Sequence, residues 1–102
     1  MKKVKLKLNH STINDVVSKL IDHMQAYEYD THAKKMYVAL WTEVVVKLQA
    51  KGLFYFKGET KVSLAAAQGL SLLIALKSIK PSDDYQTLMF TEIIAAIDKQ
   101  TA

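Results

Sequence analysis

The period of the hydrophobic pattern changes along this chain, and that change limits the fold more than any motif does. From Lys3 to Leu8 the chain reads KVKLKL, with Val4, Leu6 and Leu8 alternating with Lys3, Lys5 and Lys7. The pattern returns at Glu59–Leu64, where Thr60, Val62 and Leu64 alternate with Glu59, Lys61 and Ser63. Successive side chains of a strand point to opposite faces, so both stretches read as strands with one apolar face. Between and after them apolar residues recur three and four apart, which is the spacing of one helix face. Phe54, Tyr55, Phe56 and Val62 favour strand, and KGE supplies a turn at Gly58. The pattern therefore predicts a mainly α fold: four helices and a small antiparallel β element from the N-terminal strand and the segment near residues 54–64.

The helices can be placed from their stripes and caps. Ile13, Val16, Val17, Leu20, Ile21, Met24 and Tyr27 predict a helix from Asn9 to about Glu28, with Asn9, Ser11 or Thr12 accepting from the free N–H groups of its first turn. Asp30 or Thr31 caps a second helix from about His32 to Lys51. Ala33, Met36, Tyr37, Leu40, Trp41, Val44, Val45 and Leu48 form its buried face, opposite Lys34, Lys35, Glu43, Lys47 and Lys51; Gly52 suits its end. Tyr37 and Trp41 read as core anchors with their polar atoms at the rim. Val62–Leu76 carries no charge but is too short for a membrane span, and Ser63, Gln68, Gly69 and Ser71 interrupt it. It reads as a buried helix capped by Ser63, and Ala65 and Gly69, four apart, let one side approach a neighbour. Pro81 blocks its continuation, and Ser82 caps a last helix with Asp83 and Asp84 in its positive first turn. Tyr85, Leu88, Met89, Ile93, Ala96 and Ile97 form the last stripe, with Phe90 and Ile94 beside it. Setting Leu8 against Leu64 aligns Lys5 with Lys61 and Leu6 with Val62, and each half then reads strand, helix, helix.

With 102 residues, half of them hydrophobic, the chain reads as one domain, 1–102, with a core of its own. It has no cysteine, which removes disulfides, zinc–thiolate sites and thiol nucleophiles. That fits a reducing compartment, and MKK is followed by no apolar run of the kind a signal peptide needs, so the expectation is a cytoplasmic protein. All 14 basic residues are lysine. Four of them, Lys2, Lys3, Lys5 and Lys7, precede Leu8; the remaining ten balance the ten acidic residues. The net charge of +4 thus belongs to the N-terminal segment.

Signs of catalysis are missing. QGLSLL lacks the second glycine of a nucleophile elbow, and three isolated glycines make neither a P-loop nor a dinucleotide fingerprint. His10, His23 and His32 share no helical ligand spacing, and His23 is expected on the exposed face of the first helix. Asp83/Asp84 and Glu28/Asp30 suit helix N-termini. The expectation is a non-enzymatic accessory or interaction protein without cofactor, partnered by another protein or by a second copy of itself, and without a membrane role. LFYF, Leu53 to Phe56, is the expected partner surface: if it is a strand, alternation forces two of its four side chains away from the core, whereas if it is irregular all four can tuck into the helices. The alternative is nucleic-acid binding by Lys3, Lys5, Lys7 and Lys61 on the outer strand face, with Lys57 near and Tyr55 or Phe56 available to stack.

Overall fold

The computed structural model describes residues 2–102 and has the order strand–helix–helix twice over. The elements are β1 (Val4–Asn9), α1 (His10–Ala26), α2 (His32–Gly52), β2 (Glu59–Leu64), α3 (Ala66–Ser78) and α4 (Asp84–Thr101). It is a mainly α fold with one two-stranded antiparallel sheet, as the change of period predicts.

The register follows from the alternation. Val4 pairs with Leu64, Leu6 with Val62 and Leu8 with Thr60; between them Lys5 pairs with Ser63 and Lys7 with Lys61. Val4, Leu6, Leu8, Val62 and Leu64 are buried and the lysines are exposed. A slip of β1 by one residue would turn Val4, Leu6 and Leu8 into water, so this register is strongly specified. Leu6 and Val62, which the internal echo superposes, are also cross-strand partners. That is the relation expected where two similar halves meet about a local two-fold axis through an antiparallel pair.

The helices cover the aliphatic face. Ile13, Val16 and Leu20 of α1, Trp41, Val44, Val45 and Leu48 of α2, Leu72, Leu73, Ala75 and Leu76 of α3, and Phe90, Ile93 and Ile97 of α4 complete one core. Asn9 caps α1, its side chain accepting from Thr12 N–H at 2.8 Å, and Thr31 caps α2. Trp41 is buried whole: its indole N–H donates to the Ser71 carbonyl at 2.7 Å, inside the core and not at a rim. Trp41 also meets Tyr27 edge-on and stacks on Tyr37.

Several local expectations are corrected. β2 runs on through Ser63 and Leu64, so α3 begins at Ala66 and Ser63 faces outward on the sheet. The Gln68 side chain reaches back to accept from Ala65 N–H at 3.0 Å, satisfying the helix start in place of a serine cap. At α4 the cap is Asp83, which accepts from Gln86 N–H at 2.8 Å, while Gln86 returns the bond to Ser82 N–H. Ala33 and Met36 are exposed because the first turns of α2 project beyond the core, and Tyr85 and Leu88 are exposed because the α4 stripe centres on Phe90, Ile93 and Ile97. His23 is half-buried, its ring edge-on to Trp41 at 5.0 Å. No helix among the described residues is long and apolar enough to cross a membrane.

Candidate functional site

The connection between α2 and β2 carries the first candidate surface. α2 ends where it meets α1: a β-carbon on Gly52 would lie 2.8 Å from Ile13 Cγ2, so only glycine allows the two helices to come this close here. The exposed end of α2 is held by His10. Its Nε2 lies 3.2 Å from the Gly52 carbonyl, and its Nδ1 lies 3.3 Å from the Asn14 side-chain nitrogen. The tautomer with the proton on Nε2 satisfies both, donating to the helix-end carbonyl and accepting from the amide. The His10 ring also stands edge-on to Tyr55 and Phe56, each at 5.4 Å between centroids.

From Leu53 to Lys57 the backbone is neither helix nor strand. The aromatic run has strand propensity, but propensity reflects the fit to a paired, half-buried surface, and no free strand lies beside it. Without alternation, the two-in, two-out division does not arise. Phe56 alone turns inward and packs on the core, while Leu53 is 72% exposed, Phe54 79% and Tyr55 79%. Three consecutive large apolar side chains thus form a ridge, with Lys51 before it and Lys57 after it. Gly58, at φ 82°, turns the chain from the ridge into β2.

The second candidate surface lies on the outer face of the sheet. A groove of about 670 Å³ is lined by Lys5, Leu6 and Lys7 of β1, Lys61, Val62 and Ser63 of β2, and Lys47, Ala50 and Lys51 of α2. Three of the four lysines expected from the sequence come together here; Lys3 precedes β1 and does not line the groove. Lys47 and Lys51 were legible only as a polar stripe on a helix, since nothing local says that α2 lies along β2. Lys47 is fixed in place: its ammonium donates to Gln68 Oε1 at 2.8 Å and reaches the Ser63 carbonyl at 3.5 Å, and Gln68 in turn donates to Glu43.

Among the described residues the one ion pair joins Lys34 to Asp30, on the helix surface away from this groove. The exposed Asp30 carboxyl is held below its usual range by the Lys34 ammonium, which is held above its own. No three His, Asp or Glu residues among those described cluster as metal ligands would. Comparison with protein families, with curated proteins and with solved structures finds no match to this chain.

Proposed function

We propose that this chain acts by binding and not by catalysis, as a small interaction protein whose docking element is the Leu53–Tyr55 ridge. The observation that carries this reading is the exposure of three consecutive large apolar side chains on a connection anchored at both ends. Patches of this kind are where partners dock, because aromatic side chains supply much contact area at low entropic cost. The anchoring supports it: Phe56 in the core, the His10 contacts and the close approach at Gly52 keep the ridge from collapsing onto the helices.

The flanking charges say what kind of surface would receive it. Lys51 and Lys57 bracket the ridge, and a second copy docked ridge to ridge would bring lysine against lysine. The partner is therefore a different protein, with an apolar hollow rimmed by Asp or Glu. Sedimentation of the free protein and affinity capture compared between wild type, Phe54→Ser and Tyr55→Ser test it. Loss of a specific partner with an unchanged melting temperature supports the reading. A wild-type dimer that Tyr55→Ser dissolves would replace it with self-association. If neither substitution alters any association, the ridge is not a docking element.

A further inference from the structure

We infer that the lysine groove between the sheet and α2 binds the phosphodiester backbone of single-stranded nucleic acid, at a site separate from the Leu53–Tyr55 ridge. The first ground is an arrangement that costs stability. Lys5 directs both its N–H and its C=O to Gln100 of α4, each at 2.7 Å, and so away from β2. Lys5 and Ser63 are then a non-hydrogen-bonded pair, and by alternation so are Lys7 and Lys61. In such pairs the side chains lie closest, with Cα atoms about 4.5 Å apart. Two lysine side chains thus leave the sheet opposite each other at the tightest cross-strand position, where like charges are unfavourable. Neither lysine packs in the core, since both side chains are exposed.

The second ground is the shape of the charge. The sheet contributes Lys5, Lys7 and Lys61 to one wall of the groove, and α2 contributes Lys47 and Lys51, one turn apart, to the other. Glu59 lies on the same sheet face and Glu43 lies one turn from Lys47, where it accepts from Gln68. Five cations against two carboxylates leave the groove strongly positive. On a strand, alternate lysines stand about 6.8 Å apart, a spacing that suits successive phosphates of an extended single strand. Two ranks of cations suit one thread of negative charge lying between them. Lysine is a point charge on a flexible stem, so it follows a repeating backbone without demanding the fixed planar geometry that arginine would impose on a carboxylate. No aromatic ring lines the groove, so the bases are not read there and the binding is indifferent to sequence.

The test is fluorescence anisotropy with a labelled single-stranded oligonucleotide, over a range of salt concentrations. If four lysines each neutralise one phosphate, the log–log salt slope is about −2.8, or roughly a 50-fold loss of affinity for a fourfold rise in salt. The double variant Lys7→Gln/Lys61→Gln should flatten the slope by about 1.4, while Lys35→Gln/Lys80→Gln, which removes the same charge elsewhere, should leave it unchanged. Two homopolymers of equal length should bind alike, and Phe54→Ser should have no effect, which separates this site from the ridge. Circular dichroism of both double variants checks that the fold is intact. The inference is overturned if nothing binds at low salt, or if the two double variants weaken binding equally. It is also overturned if polyglutamate of equal charge competes as well as unlabelled oligonucleotide, which would make the groove a site for acidic protein.

Discussion

Gly69 of α3 lies so close under Val4 of β1 that a β-carbon on the glycine would stand 2.6 Å from Val4 Cγ2. The sheet rests on α3 at this point, and the missing side chain is what permits it. Gly69→Ala would gain up to about 1 kcal/mol of helix propensity, but overpacking a tight contact costs about 1–3 kcal/mol. Val4 cannot easily yield, because its branched side chain is stiff and is itself buried. The expected outcome is a less stable protein, with Val4→Ala recovering part of the loss in the Gly69→Ala background. A double-mutant cycle from denaturant melts measures that coupling.

Removing residues 2–8 should abolish the fold. Val4, Leu6 and Leu8 are each at most 5% exposed, and burying such a side chain contributes about 1.5–3 kcal/mol. Losing three of them, and leaving Val62 and Leu64 uncovered, approaches the whole stability of a domain of this size. Circular dichroism and thermal melts decide it; a truncated chain with the wild-type melting temperature would show that β1 carries no weight.

The edge of β1 is closed by one side chain. Gln100 accepts from Lys5 N–H and donates to Lys5 C=O, a two-bond clamp that imitates a neighbouring strand. Gln100→Ala should destabilise by about 1–2 kcal/mol, at the ordinary contribution of two such bonds. Hydrogen exchange gives the sharper readout: the Lys5 amide should exchange much faster in the variant, and the amides of Leu6 and Val62, which pair with each other, much less so.

Acid should weaken the fold through His23. Burial against Trp41 and Tyr27 lowers its pKa, because desolvation disfavours the charged ring. As pH falls below about 6.5 the unfolded chain takes up a proton that the folded chain resists. The contribution is therefore complete above the ordinary histidine range and is lost as pH falls toward the depressed folded-state value. Urea melts followed by Trp41 fluorescence should show this slope in the wild type and a shallower one in His23→Phe.

What could be read from the sequence divides along a physical line. Val4, Leu6, Leu8, Val62 and Leu64 announce a buried strand face, because period two has no other use in a chain otherwise patterned for helices. Their pairing follows, since each is the other's only available partner. The helix stripes were legible near their centres and failed at their ends: Met36 and Leu88 fit the spacing but lie beyond the core, and spacing does not report where a core stops. Asn9 and Thr31 cap α1 and α2 as expected, but the starts of α3 and α4 lie one or two residues past the expected serines, because Ser63 serves the strand's outer face and Asp83 outcompetes Ser82. For the candidate surfaces, the cationic face of β1 was visible, but the lysines of α2 were not, since only the packing of α2 beside β2 brings Lys47 and Lys51 to it. Strand alternation does not push Leu53, Phe54 and Tyr55 outward; the helix end at Gly52 and the turn at Gly58 do.

The partners of β1 come late in the chain. Val4 pairs with Leu64, and Lys5 is clamped by Gln100, 95 positions further on. During synthesis this strand is therefore made well before its partner, and until β2 has been made its aliphatic face has no strand to pair beside. An unmatched apolar strand invites pairing with its copies on neighbouring nascent chains. The lysines between Val4, Leu6 and Leu8 oppose that, because copies stacked in register would place ammonium beside ammonium along the whole segment. The alternation that fixes the register of the finished sheet thus also shields the unfinished chain during the interval before its partner exists.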